Sequence, residues 1–97
     1  MRIRWSPAAA NDLERIFDYL EEHQPSLAQP TVRKLYEAAR SLRQFAYRGR
    51  TGQAANTREL VLVPLPYVIV YRVREQVVEI SRILHTSQER PRESSDT

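Results

Sequence analysis

Residues 58–85 have the sequence RELVLVPLPYVIVYRVREQVVEISRILH, and this stretch decides how the 97-residue chain folds. It holds most of the β-branched apolar residues and is typical of three consecutive strands joined by two short reversals. Leu60–Val63 is the first apolar run, and the prolines that follow it end the strand because proline cannot donate to a ladder. Tyr67–Val73 is the second predicted strand. A short polar break separates it from the third, Val77–His85.

Side chains alternate between two sides within these predicted strands. One side of the second strand carries Tyr67, Ile69, Tyr71 and Val73. In the third strand, Val78, Ile80, Arg82 and Leu84 are predicted on one side, and Val77, Glu79, Ser81, Ile83 and His85 on the other. Central strands lose clean alternation when both faces are buried, so the pattern alone does not decide which side meets the rest of the chain. Tyr67 and Tyr71 could stack on bases, but we predict that they belong to the core.

The first part of the chain predicts a short strand and a helix. Residues 1–5, MRIRW, alternate as a strand does. Ser6 followed by Pro7 indicates an N-cap and a proline at the first helical position, and the helix should run to about His23. Its apolar face is predicted to carry Leu13, Ile16, Phe17 and Leu20, and its exposed side Asp12, Glu14, Asp18 and Glu21.

A second amphipathic helix is predicted to start between Ser26 and Pro30 and to end near Tyr47, with Tyr36 and Phe45 adding to its apolar face. The short turn between the helices favours an antiparallel hairpin. We therefore predict an α+β fold: an N-terminal strand, an antiparallel two-helix hairpin and three consecutive antiparallel strands. The helices should cover one face of a curved, four-stranded sheet.

Two other segments are predicted to lack regular structure. Arg48–Asn56, RGRTGQAAN, contains both glycines and is predicted to be a plain connection, although its backbone N–H groups could also cradle an anion. A single domain is expected over residues 1–91. Residues 92–97 form a polar tail that should be disordered.

Composition restricts the class of protein. The chain has no cysteine, which removes disulfides and thiolate metal sites and fits a reducing cytoplasm. The sequence also lacks an apolar run of membrane-spanning length and the apolar core of a signal peptide. We expect a soluble cytoplasmic protein with no membrane partner, no metal and no cofactor.

The charge is unevenly distributed. Residues 1–25 contain three basic and five acidic residues, a net charge of −2, whereas the remainder contains 12 basic and seven acidic residues, a net charge of +5. Fourteen of the 15 basic residues are arginine. Arginine grips phosphate or carboxylate with two parallel hydrogen bonds, which suits nucleic acid or an acidic protein. A GC-rich genome would produce the same bias.

Several short motifs occur in order along the chain. They are Trp5-Ser6, Ala9, Asp12-Leu13, Ile16, Tyr19, Gly49-Arg50, Arg58-Glu59-Leu60, Pro66-Tyr67, Tyr71-Arg72-Val73, Val78-Glu79-Ile80, Ile83-Leu84-His85 and Pro91. Together they resemble the ParE/RelE superfamily of bacterial type II toxins, and more closely its ParE branch. The resemblance covers residues 1–91. It implies a toxin that a cognate antitoxin neutralises within a hetero-oligomer.

The resemblance implies one of two activities. ParE-like members block DNA gyrase, whereas RelE-like members cut mRNA on the ribosome, which requires an acid, a base and cations around the phosphate. Nuclease members usually carry arginine where this chain has Val68, and often lysine where it has Glu59 or Val61. An arginine beyond their last strand falls near Ser87. These departures favour gyrase inhibition, with a ribosome-dependent mRNA endonuclease as the alternative.

Candidate functional residues follow from the two activities. If the chain is a nuclease, Arg58 and Arg82 would hold the phosphate and His85 would transfer a proton. The candidate partner-binding residues are Arg50, Arg58, Arg72 and Arg82. An antitoxin segment that is disordered, acidic and folds on binding should lie across the basic portion, as a helix in a groove or as an added strand.

Three of these residues also have a structural interpretation. For Arg58 we favour a salt bridge to an acid such as Glu79. Arg82 interrupts an apolar row, so it either pairs with an acid or marks an uncovered face where a partner binds. For His85 we favour a strand-end histidine that bonds the backbone and holds the tail.

Overall fold

The computed structural model describes residues 1–87 and shows an α+β fold. The elements are β1 (Arg2–Trp5), α1 (Pro7–His23), α2 (Pro25–Ser41), β2 (Arg50–Thr51), β3 (Arg58–Val61), β4 (Tyr67–Arg74) and β5 (Val77–His85). The predicted class and order, strand, two helices and then antiparallel strands, are confirmed. The predicted domain limit at residue 91 and the predicted polar tail at 92–97 lie outside the described residues.

Within residues 1–87 the strands form one sheet in the order β1-β5-β4-β3-β2. β1 is parallel to β5, and the other neighbours are antiparallel. The sheet has five strands where four were predicted, because Arg50 and Thr51 of the supposed connection pair with Glu59 and Arg58. β3 begins at Arg58, the first residue of the stretch predicted to form strands, and ends at Val61, two residues before the end of the predicted apolar run.

α1 has its predicted bounds, and its N-terminus is fixed to the sheet. The Ser6 hydroxyl oxygen accepts the backbone N–H of Ala9 at 3.0 Å, which satisfies one of the free donors of the first turn. The same hydroxyl donates to the carbonyl of Ser81 in β5 at 2.9 Å. One side chain therefore caps the helix and sets its position beside β5.

α2 differs from the prediction at both ends. It starts at Pro25 and ends at Ser41, well before Tyr47. The backbone N–H groups of residues 42 to 44 bond to carbonyls three positions back, so the chain tightens into turns instead of continuing the helix. The apolar periodicity continues past this point because Leu42 and Ala46 still face the core from the turns.

The core lies between the two helices and one face of the sheet. Its members include Ala9, Leu35, Ala39, Leu42, Ile69, Tyr71, Val78 and Ile80, all fully buried. The predicted core positions of Tyr67 and Tyr71 are confirmed. The second predicted strand therefore turns its tyrosine side toward the helices.

A bulge in β5 breaks the predicted alternation. Val70 pairs with Arg82, and the next residue of β4, Tyr71, pairs with Ile80, so Ser81 has no partner on β4. The extra residue lets Ile80 and Ile83 both face the helices. The prediction that Ile80 shares a side with the residues at 82 and 84 is therefore wrong.

Neither helix in the described part of the chain has the length and apolar character needed to cross a membrane.

Candidate functional site

The sheet face turned away from the helices carries paired charges. Residues directly opposite each other on neighbouring strands share a face. Arg4 of β1 lies opposite Glu79 of β5, and Glu79 lies opposite Arg72 of β4. Because the neighbours of Arg4 in β1, Ile3 and Trp5, pack against the core, this row must point away from the helices.

A second row crosses the same face further along the strands. Arg50 lies opposite Glu59, Glu59 opposite Val70, and Val70 opposite Arg82. The whole surface, here called the open face, bears the arginines Arg2, Arg4, Arg50, Arg72, Arg74 and Arg82 and the acids Glu59 and Glu79. Six cations against two anions make this face of residues 1–87 strongly positive.

Arg50 is held at the rim of the open face by an ion pair. Its guanidinium donates to the Glu59 carboxylate at 3.1 Å. Glu59 is only 3% exposed and also accepts the backbone N–H of Gln53 at 3.4 Å. The carboxylate therefore fixes β2 and the following loop, while the Arg50 side chain stays 59% exposed.

Arg72 lies near the centre of the open face, between β3 and β5. Its side chain is half-buried, and its Nε has no hydrogen-bond partner among residues 1–87. Glu79 lies opposite it in register but forms no ion pair with it within the described residues.

Arg82 lies at the rim of the open face and pairs there with an acid on α1. Its Nε and Nη2 donate to the Asp12 carboxylate at 2.7 and 3.0 Å. These hydrogen bonds hold the pKa of Arg82 above its ordinary value. Of the two interpretations of Arg82, the structure shows pairing with an acid.

Asp12 was predicted on the exposed side of α1, and that prediction is wrong. The residue is 8% exposed. Its Oδ2 also accepts the backbone N–H of Ile83 at 2.9 Å, on the stretch of β5 that β1 does not cover. The spacing could have revealed this burial, because Asp12 follows the core residue Ala9 by three positions and precedes Ile16 by four.

Arg58 does not form the predicted salt bridge to Glu79. Its Nη1 donates to the carbonyl of Gly49 at 2.8 Å and to that of Tyr47 at 3.5 Å. Its guanidinium lies 4.8 Å from the centroid of the Tyr47 ring. The prediction fails because Arg58 lies opposite Tyr71, on the helix side of the sheet, whereas Glu79 belongs to the open face.

His85 ends β5 and bonds the next turn, as predicted for a strand-end histidine. Its Nδ1 accepts the backbone N–H of Ser87 at 3.1 Å and lies 2.8 Å from the Ser87 hydroxyl. The ring meets Tyr67 edge-on at a centroid distance of 5.6 Å. Burial raises the pKa of Tyr67, so its phenol is held in the neutral form.

The three candidate nuclease residues do not form one site. Arg82 and His85 line the same cleft of about 340 Å³ beside α1. Arg58 lies opposite Tyr71 on β4, whereas His85 lies opposite Tyr67. Four residues of strand separate those two positions, roughly 13 Å, and Arg58 is also two strands away from β5.

Residues 1–87 show neither a cationic side chain at position 68 nor a group of side chains that could bind a metal ion. Val68, where nuclease members were expected to carry arginine, is 1% exposed and packs within the sheet. Among residues 1–87 the histidine and acidic side chains form no group that could hold a metal ion.

Comparison with known proteins gives consistent matches. Residues 3–90 match the family described as the ParE toxin of the type II toxin-antitoxin system parDE. Y4kP of Sinorhizobium fredii (strain NBRC 101917 / NGR234), named as a candidate toxin, is 38% identical over 90 residues, which cover 93% of each chain. Toxin RelE2 of Caulobacter vibrioides (strain ATCC 19089 / CIP 103742 / CB 15) is 42% identical over 86 residues, covering 89% of this chain and 96% of that protein.

A solved structure agrees with the sequence matches. A chain of the chromosomal ParDE TA system from P. aeruginosa superposes with a TM-score of 0.81 at 30% identity, covering 88% of this chain and 95% of that one. The family match spans nearly the whole chain, and the curated relatives and the fold agree with it. This chain therefore belongs to the ParE/RelE toxin family and is the toxin component of a type II toxin-antitoxin module.

Proposed function

We propose that this toxin acts as ParE-like members do, by inhibiting DNA gyrase, and that a cognate antitoxin neutralises it. One observation carries the proposal: of the three residues that a nuclease would need together, Arg58 lies apart from Arg82 and His85, and all three are engaged in structural contacts. An enzyme that cuts RNA must bring an acid, a base and a cation around one phosphate.

The cost of freeing these residues supports the same conclusion. Arg82 would have to leave a two-bond contact with a buried carboxylate that it shares with the backbone of Ile83. Breaking such a pair leaves an uncompensated buried charge on Asp12. Arg58 would have to release the Gly49 carbonyl that it holds at 2.8 Å.

The neighbouring positions also disfavour phosphate binding. The side chain of Val68 is buried and uncharged. Glu59 places a carboxylate on the open face where a nuclease would need a cation, and a carboxylate does not attract a phosphate. Inhibition of a protein target does not require a cationic side chain at position 59 or 68.

The open face is the proposed partner-binding surface. Of the candidate residues, Arg50, Arg72 and Arg82 belong to it, whereas Arg58 lies on the other side of the sheet. Its excess of arginine is complementary to an acidic protein segment, such as one supplied by the antitoxin. Arg72 contributes most to this proposal, because it lies near the centre of the face and forms no ion pair within residues 1–87, so its positive charge is available to an acidic partner.

The alternative is RelE-like cleavage of mRNA on the ribosome. Two observations favour it: one similar protein is named toxin RelE2, and Arg82 and His85 line the same cleft. In that case His85 would transfer the proton, and Arg82 would have to exchange Asp12 for the phosphate.

Induction of the toxin in growing cells separates the two activities. A gyrase inhibitor should activate a DNA-damage reporter and change plasmid supercoiling before amino-acid incorporation falls. Co-expression of the cognate antitoxin is the control and should abolish both effects. Immediate arrest of translation with mRNA cleavage and no DNA-damage signal would support the nuclease instead. DNA gyrase and ribosomes are both cytoplasmic, so the toxin would act in the cytoplasm in either case.

A further inference from the structure

The turn that follows α2 exposes two aromatic rings and buries the alanine between them. In the sequence Phe45-Ala46-Tyr47, Ala46 is 6% exposed, whereas Phe45 is 59% and Tyr47 62% exposed. The prediction that Phe45 belongs to the apolar face of α2 is therefore wrong. Burying either aromatic ring would remove far more apolar surface from water than burying alanine does, so this arrangement costs stability.

The exposure is built into the fold, because several hydrogen bonds fix the turn. The buried Tyr71 hydroxyl donates to the Ala46 carbonyl at 2.8 Å and accepts the backbone N–H of Gly49 at 2.8 Å. A Cβ atom at Gly49 would lie 2.7 Å from that hydroxyl oxygen, so only glycine allows this approach. Arg58 holds the Gly49 carbonyl from the other side.

Positive charge is concentrated in the segment that carries the two rings. Arg58 lies over the Tyr47 ring at 4.8 Å, and Arg48 is positioned by a 2.8 Å hydrogen bond from its Nη1 to the Ser41 hydroxyl. Residues 38–58 contain five arginines and no acidic residue. No acidic side chain of residues 1–87 forms an ion pair with Arg48 or Arg58.

We propose that Phe45, Tyr47, Arg48 and Arg58, here called the aromatic ledge, bind single-stranded nucleic acid. Unpaired bases would stack on the exposed faces of Phe45 and Tyr47, and Arg48 would contact the adjacent phosphates. Arg58 would keep its bond to the Gly49 carbonyl and add positive charge beside the Tyr47 ring. A duplex fits poorly because its bases are already stacked on one another. DNA and RNA offer the same ring faces and phosphates, and none of these contacts involves the 2′-hydroxyl that separates them.

The aromatic ledge suits nucleic acid better than an acidic protein segment. Carboxylates could pair with Arg48, but they have no flat apolar surface to place against the two exposed rings that flank the buried Ala46 in the sequence. Every nucleotide supplies both a flat ring and a negative charge. The ledge is separate from the open face, so this binding does not depend on gyrase inhibition.

Fluorescence anisotropy with the purified full-length toxin tests the proposal. The probes are labelled oligothymidine and oligouridine of about 12 nucleotides, a duplex of equal length, and a polyglutamate peptide as competitor. The double variant Phe45→Ala/Tyr47→Ala removes the rings. Tyr19→Ala removes an equally exposed tyrosine from α1 and is the matched control. Arg48→Gln and Arg33→Gln form the corresponding charge pair, since both arginines are exposed.

We expect the double variant to weaken single-strand binding by about tenfold or more, Arg48→Gln to weaken it, and Tyr19→Ala and Arg33→Gln to leave it unchanged. A 2-aminopurine base in the strand should lose fluorescence on binding to the wild type but not to the double variant, because stacking quenches it. Tighter binding of either oligothymidine or oligouridine would identify the natural ligand as DNA or RNA, respectively. Equal binding by wild type and double variant, tighter binding of duplex, or equal competition by polyglutamate would overturn the proposal.

Discussion

Asp12 in the first helix and Arg82 in the last strand, 70 positions apart in the chain, are joined by two hydrogen bonds of 2.7 and 3.0 Å. The same carboxylate accepts the N–H of Ile83 at 2.9 Å. The carboxylate therefore satisfies a backbone donor on the part of β5 that does not pair with β1. It also neutralises Arg82 at the rim of the open face. An uncovered strand edge invites pairing with other chains, so this contact contributes to specificity as well as stability.

Replacing Asp12 should destabilise the fold. In Asp12→Ala the N–H of Ile83 loses its acceptor and Arg82 loses its counter-charge, although Arg82 is 47% exposed and can turn to water. We expect the free energy of unfolding to fall by about 2–3 kcal/mol, measured by urea denaturation. Asp18→Ala, which removes an exposed acid from the same helix, should change it by less than about 0.5 kcal/mol. Equal effects of the two substitutions would show that the Asp12 contacts contribute little.

Removing the Tyr71 hydroxyl should loosen the turn that carries the aromatic ledge. Tyr71→Phe preserves the buried ring but leaves the Ala46 carbonyl and the Gly49 N–H without their partner. The expected loss is about 1–3 kcal/mol of unfolding free energy, with faster amide hydrogen exchange at Gly49. Tyr36→Phe, at an exposed tyrosine, is the control and should have no effect. Unchanged exchange at Gly49 would mean that the hydroxyl does not hold the turn.

Stability should depend on pH in the alkaline range. Burial raises the pKa of Tyr71 above its ordinary value of 10.0, so the folded state favours the neutral phenol. This contribution is fully present below the unfolded pKa, near 10, and is lost as the pH rises through the higher folded pKa. The free energy of unfolding should therefore fall above about pH 10, and more steeply in wild type than in Tyr71→Phe. Identical slopes would contradict the assignment to Tyr71. Some decline should remain in the variant because the pKa of Tyr67 is also raised.

Charge reversal on the open face should weaken antitoxin binding. Arg72→Glu places a negative charge opposite Glu79, where the proposed acidic segment would lie. We expect the Kd for the cognate antitoxin to rise by about tenfold or more at low salt, with a smaller difference at high salt. Arg33→Glu makes the same charge change on the exposed side of α2 and should have little effect. If Arg33→Glu weakened binding and Arg72→Glu did not, the antitoxin would lie on the helices instead.

The parts of the fold that depend on local sequence signals could be predicted. Ser6 and Pro7 mark the start of α1, and the tyrosine side of β4 was identified by simple alternation. The C-terminus of α2 could not be placed, because Leu42 and Ala46 keep the helical spacing of buried residues while lying in turns. Here the hydrophobic pattern reports burial and not backbone conformation.

The candidate site was harder to predict, because its contacts join distant segments. The bulge at Ser81 reverses the side on which every later residue of β5 lies, and nothing in its immediate neighbours signals it. Arg58 was assigned an acidic partner but bonds backbone carbonyls, which carry no sequence signature. Only the Arg82 half of the Asp12–Arg82 pair was predicted: Arg82 interrupts an apolar row and needed an acid or an open face, whereas Asp12 was predicted on the exposed side of α1.

The most direct test of the central claim is a supercoiling assay with purified DNA gyrase, run beside a cleavage assay with ribosome-bound mRNA. The toxin should inhibit supercoiling, the cognate antitoxin should restore it, His85→Ala should inhibit as well as the wild type, and the mRNA should stay intact. If supercoiling survives excess toxin while the ribosome-bound mRNA is cut and His85→Ala abolishes the cutting, the proposed gyrase inhibition is contradicted.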